Sequence, residues 1–276
     1  MSLMLKLLST TLLLSSFVYA STSEKISDFL EDKFSENPRL ESVHVKVEDV
    51  TPLKQLPQWN AYILDVSAVL KMKPKQTIHQ KMIWFSNGEM ITKDLTDINT
   101  GESLVEHVKP KVKAKNYTKE NLIYGNTNAR HKVVIFSDPL CPFCRGFVPG
   151  AVKTMKKEPQ KYAIYYYHFP LARLHPASVT LVKAAVAAEL QGVKDVILKL
   201  YNVKINPRER NTQKILDAFN AAEGTKITLN NIKNSQVLKQ LQHDKMVASD
   251  LMVSGTPTVY LDGTIDNTKK KYLKVK

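Results

Sequence analysis

The sequence predicts an α/β catalytic domain with a helical insertion, preceded by a smaller α+β unit. Three observations predict it. A short apolar strand from Lys132 to Phe136 breaks at Ser137-Asp138-Pro139 and runs into a helix. A second aromatic-rich strand, Tyr162 to Tyr167, is separated from a last strand, ending at Leu261, by a long stretch of helical pattern. Upstream, alternating segments joined by an Asn87-Gly88 turn signal read as an antiparallel sheet.

The chain has 276 residues, enough for two domains, and its 43% hydrophobic content is that of a protein with a packed core. Residues 1–20 differ from the rest. Lys6 precedes an apolar run from Leu7 through Val18, and Val18-Tyr19-Ala20 supplies a small-x-small cleavage site. The run is short for a membrane span, so it is read as a cleavable signal peptide and the mature protein as exported. The formal net charge is +14, but the lysines are scattered without interleaved aromatics, which argues against nucleic acid as a partner.

Residues 21–108 form the first expected unit. Ile26, Phe29, Leu30 and Phe34 share a helical face, which Asn37-Pro38 ends. Val43, Val45 and Val47 alternate as a strand, and Tyr62 to Leu70 and His79 to Phe85 read as extended. The unit contains no cysteine. Residues 109–128 are Lys-rich, with Tyr117, Leu122 and Ile123 at helical spacing, and read as a linker helix. Residues 129–276 form the expected catalytic domain, with the helical insertion at about 177–249, opening on an alanine-rich helix.

Two cysteines, Cys141 and Cys144, lie two residues apart. So short a loop removes little chain entropy, which makes the pair a poor staple and better explained as working chemistry. Cys141 follows a strand at the first turn of a helix, where free backbone N–H groups and the positive dipole end favour a thiolate. Cys144 follows one turn on, within bridging reach. Cys141 would attack a disulfide and Cys144 would resolve the mixed disulfide. Pro142 suits the first helical position, and Phe143 offers the sulfur no hydrogen bond. Half a zinc site and a pair of inert thiols remain as alternatives, although there is no second Cys-x-x-Cys and the seven histidines are dispersed.

Phe136-Ser137-Asp138-Pro139-Leu140-Cys141-Pro142-Phe143-Cys144 resembles the active-site segment of periplasmic thiol–disulfide oxidoreductases of the DsbA/DsbC/DsbG group, which have a thioredoxin fold. Pro149 resembles the kink proline of the active-site helix, and His168-Phe169-Pro170-Leu171 with His175-Pro176-Ala177 is similar to the second strand and inserted helices. Ser254-Gly255-Thr256-Pro257-Thr258 resembles the cis-proline loop, in a Thr-Pro form shared with the DsbC/DsbG branch. Asp94-Leu95-Thr96-Asp97-Ile98 is similar to the end of that branch's cystatin-like dimerisation domain.

The resemblance implies a homodimeric periplasmic disulfide isomerase or reductase acting on exported cysteine-containing proteins. A membrane redox partner would reset the pair. No cofactor is expected beyond the redox-active disulfide Cys141–Cys144, and no metal. Thr256 and Pro257 would bind substrate backbone, and the Thr256 hydroxyl would donate to the Cys141 thiolate. Asp138 and Arg145 could tune that thiolate, while a turn residue and a solvated arginine are their plainer readings. A disulfide-forming oxidase and a non-enzymatic chaperone are the alternatives.

Overall fold

The computed structural model describes residues 22–276, in two compact units that divide between Lys109 and Pro110. The expected signal peptide lies outside the described residues.

In the first unit a helix, α1 (residues 22–35), lies on an antiparallel sheet of order β1-β2-β3-β4. The strands are β1 (Leu40–Pro52), β2 (Asn60–Leu70), β3 (Gln76–Ser86) and β4 (Ile91–Thr92). Ile26, Leu30 and Phe34, each one turn apart, pack on Val45, Tyr62, Leu64 and Trp84. Phe29 lies off that stripe and is 50% exposed, so the buried face is narrower than the sequence reading. The Asn87-Gly88 turn joins β3 to β4 with Gly88 at φ +92°, a conformation that costs glycine little.

All but Lys109 of the segment expected to be a linker belongs to the second unit. Val112 donates its N–H to the Gly263 carbonyl at 2.9 Å and is buried. Leu122–Tyr124 is not helical but a strand, β5, at the edge of the second sheet. Lysines made the segment look solvated. Val112, Tyr117 and Leu122, interspersed among them, pack against the sheet and hold it there.

The second sheet has the order β5-β7-β6-β8-β9, with β6 (His131–Ser137), β7 (Tyr162–His168), β8 (Thr258–Leu261) and β9 (Thr264–Ile265). β6 runs parallel to β7 and antiparallel to β8. The β6–β7 connection is helix α2 (Pro142–Met155), so the unit is built on a β-α-β core. Alternate residues of the central strands serve the two faces. Val133, Ile135, Ile164, Tyr166 and Val259 pack on α2 and on α4 (Val196–Leu200). Val134, Phe136, Tyr165, Tyr167 and Tyr260 pack on α7 (Ser235–Asp250). Gly125, just after β5, sits at φ +85° with its Cα against the Tyr162 carbonyl, where a Cβ would come within 1.9 Å of the oxygen. Backbone contact that close needs glycine.

The helical insertion comprises α3 (Pro176–Leu190), α4, α5 (Thr212–Glu223), α6 (Leu229–Ile232) and α7. Alanines at 177, 184, 185, 187 and 188 are buried, so α3 packs closely on its helical neighbours.

Two acids in this helical layer hold their protons to higher pH than ordinary carboxyls. Glu223 is 5% exposed, both its oxygens lack partners, and burial pushes its carboxyl up to about 7. Glu189 is pushed up to about 8 by burial and by the charges of Asp244 and Glu223. In the unfolded chain both ionise near the ordinary value of 4.5. Between those limits the folded state holds more protons than the unfolded one. Their contribution to stability is therefore full below about 4.5 and is lost as pH rises towards 7–8. Melting temperatures from pH 5 to 8 check this: Glu223→Gln should reduce the fall seen in the parent protein, and equal slopes would contradict it.

Candidate active site

β6 ends at Ser137, and the chain turns through Asp138-Pro139-Leu140 into α2. Cys141 is the N-cap of that helix, in extended conformation at φ −68° and ψ 124°, and Pro142 is its first residue. The first-turn amides of Phe143 and Cys144 have no helical carbonyl behind them and point towards the Cys141 end. Gly146, Pro149 and Gly150 are weak helix formers, yet α2 runs on to Met155. Its buried stripe of Cys144, Val148, Ala151, Val152 and Met155 outweighs propensity, and both glycines lie on the exposed side.

Both cysteines are free thiols. Cys141 is 4% exposed and Cys144 is fully buried, while Phe143 between them is 77% exposed beside the site. Burial pushes the Cys144 thiol up to about 11, opposed by the Ser137 and Thr256 hydroxyls and the Asp138 backbone, which favour its thiolate. The Thr256–Pro257 peptide bond is cis. Thr256 meets Cys141 through its carbonyl oxygen, 3.6 Å from Sγ, and not through its hydroxyl. The hydroxyl is buried without a hydrogen-bond partner and lies on the Cys144 side. The expected donation from this hydroxyl to Cys141 is thus replaced by a bond in which the Cys141 thiol is the donor.

Asp138 is the polar centre of the loop. Its carboxylate is fully buried. Oδ1 accepts from the backbone N–H groups of Leu140 (2.7 Å) and Cys141 (3.2 Å) and from the Ser178 hydroxyl (2.6 Å). Oδ2 accepts from Leu171 N–H (2.7 Å) and lies 3.1 Å from His175 Nδ1. Asp138 therefore ties the cysteine loop to the start of α3. Arg145 turns away from the sulfurs. Its Nε donates to the Pro139 carbonyl and a terminal nitrogen to the Val203 carbonyl, each at 2.8 Å. It clips the loop onto the chain after α4 and is not a partner of the thiolate.

His168 is 5% exposed, with its ring edge-on to Tyr166. Burial lowers its pKa, so it is neutral there. Among the described residues no cluster of three or more His, Cys, Asp or Glu side chains is arranged to hold a metal ion. Sequence reasoning missed Tyr166 and Tyr201. Tyr201 Oη lies 2.6 Å from Ser137 Oγ and 2.8 Å from Tyr166 Oη, inside the same core as the cysteines. The run Tyr165-Tyr166-Tyr167 on a buried strand was the available signal, since alternation sends Tyr166 to the cysteine face.

A family model described as thioredoxin matches residues 117–276. The chain belongs to the thioredoxin family. The matched span contains the whole second sheet, the cysteine loop and the Thr256–Pro257 loop, and it begins inside the segment that sequence reading had set aside as linker. Solved structures similar to this thioredoxin-family chain include the catalytic domain of Proteus mirabilis ScsC, at 23% identity over 57% of this chain and 90% of that one, with a TM-score of 0.46. BdbD from Bacillus subtilis in its oxidised form is similar at 18% identity over 61% and 99%, TM-score 0.47. A thioredoxin-like oxidoreductase from Silicibacter pomeroyi DSS-3 is similar at 18% identity over 57% and 92%, TM-score 0.45. No curated protein sequence matches the chain.

Proposed function

We propose that this protein is a periplasmic thiol–disulfide oxidoreductase that reduces or isomerises disulfides in exported proteins through Cys141 and Cys144. The observation that carries the reading is the placement of Cys141 at the N-cap of α2, with Cys144 buried one turn on. The two sulfurs play different parts. Cys141 Sγ lies at the N-terminal end of the helix, against the Thr256 carbonyl and next to exposed Phe143. A client disulfide is cleaved when Cys141 Sγ attacks one sulfur and the other leaves. Cys144 Sγ then attacks Cys141, the client sulfur departs with a proton, and the Cys141–Cys144 disulfide remains. A membrane redox partner resets the pair to dithiol, and no further cofactor takes part. Pro142 and Phe143 shape the rim, and the backbone at Thr256 and Pro257 lies where an extended client segment would pair.

Export rests on the pattern of residues 1–20; among the described residues no helix is long and apolar enough to cross a membrane. The cysteine-free first unit, whose sequence resembles a dimerisation domain, would pair with its twin and leave two Cys141 sites facing one cleft. Insulin reduction and refolding of scrambled ribonuclease test the activity. Turnover in both is expected, oxidation of reduced ribonuclease alone would mark an oxidase, and inactivity throughout would leave only chaperone action. Sedimentation of the protein lacking residues 1–20 should show a dimer, and a monomer would remove the main support for isomerase over oxidase.

A further inference from the structure

Resolution of a mixed disulfide requires Cys144 to attack as a thiolate, yet its sulfur is fully buried. The one carboxylate in the loop does not serve it. Both Asp138 oxygens are taken up by the donors of Leu140, Cys141, Leu171, His175 and Ser178. Hydroxyls favour the Cys144 thiolate instead, Ser137 from the end of β6 and Thr256 from the loop before β8. Ser137 Oγ lies 2.6 Å from Tyr201 Oη, which lies 2.8 Å from Tyr166 Oη. Ser137 is 0%, Tyr166 2% and Tyr201 5% exposed, so water does not compete for these bonds.

We infer that the buried hydroxyls of Ser137, Tyr201 and Tyr166 form a reversible donor chain that, with the Thr256 hydroxyl, stabilises the Cys144 thiolate as it resolves the mixed disulfide. This deepens the proposed exchange activity and rests on it. With Cys144 a thiol, its S–H can donate to Ser137, Ser137 to Tyr201, and Tyr201 to Tyr166. As the sulfur ionises, each hydroxyl turns, and Tyr166 donates to Tyr201, Tyr201 to Ser137, and Ser137 to Sγ. No proton travels along the chain. The Cys144 proton is taken by the departing client sulfur, the Cys141–client bond breaks and the Cys141–Cys144 bond forms, so electrons balance without another reagent. Thr256 Oγ1, which otherwise has no partner, gains one in the thiolate. Ser137 and Thr256 would donate to the reacting sulfur directly, whereas Tyr201 and Tyr166 are positioning residues. The titratable groups around the chain are Cys141, Cys144, Tyr166, Tyr201 and Asp138, with His168 edge-on to Tyr166.

The test mixes reduced full-length protein with excess glutathione disulfide from pH 6 to 9. Acid quenching and mass spectrometry then follow the Cys141–glutathione adduct and its conversion to the internal disulfide. Adduct formation uses Cys141 and is the internal control. Ser137→Ala and Tyr201→Phe should each prolong the adduct at least fivefold and move the pH profile of its resolution upward, and Ser137→Thr should restore the parent rate. Tyr201→Phe keeps the ring in the core, so it decides the matter even if Ser137→Ala does not fold. Unchanged resolution in Tyr201→Phe, or equal slowing of both steps, would overturn the chain. Absence of any adduct on the parent protein would overturn the exchange activity itself, a different failure.

Discussion

Replacing Cys141 by serine is expected to reduce thiol–disulfide exchange to the uncatalysed background, whereas Cys144→Ser should leave an enzyme that captures clients and cannot let go. The asymmetry follows from position. Cys141 caps the first turn of α2 and keeps 4% exposure, and Cys144 is fully buried one turn on with its thiol pushed up to about 11 by burial. At neutral pH an alkylating reagent should therefore label Cys141 and spare Cys144. Non-reducing gels of the Cys144→Ser protein should show discrete adducts that vanish on reduction and map to Cys141. Peptide mapping with Cys144 labelled first would reverse the roles assigned to the two sulfurs.

Asp138→Ala is expected to be the most destabilising single change in the loop, at about 3 kcal/mol, because it removes a buried acceptor that several donors share. The donors of Leu140, Cys141 and Ser178 would be left without an acceptor in a buried setting. Each buried unpaired donor costs about 1–3 kcal/mol before the loop relaxes. Urea unfolding monitored by tyrosine and tryptophan fluorescence measures the loss. Exchange activity should fall as well, because the Cys141 amide is one of the groups released. A loss below about 1 kcal/mol would show that the loop is held mainly by Arg145 and the apolar core.

Local pattern carried much of this into view before any coordinates. The strand before the cysteines, the helix after them, the Asn87-Gly88 hairpin and the alanine-rich helix are all marked by nearby residues whose spacing encodes their geometry. The rest depends on residues far apart in the chain. Ser137 meets Tyr201 across 64 positions and Asp138 meets Ser178 across 40, and nothing beside either residue announces its partner. Arg145 has the type and place of a thiolate ligand, but the carbonyls of nearby Pro139 and distant Val203 take its guanidinium. The 109–128 segment misled because charge density was read as solvation, although strand β5 needs only three residues to join a sheet. Phe29 misled by a single position, since one residue is a rotation of about 100° on a helix.

Thr256 arrives at Cys141 from 115 residues further along the chain, on the loop that feeds the strand paired with β6. A nascent chain emerging amino end first thus presents the two thiols long before the segment that closes over them exists. Until β8 docks, Cys141 lacks the Thr256 carbonyl against its sulfur, and the Thr256 hydroxyl is absent from the site. The order of synthesis makes the reactive pair an early feature and the completed active site a later one, which waits for β8.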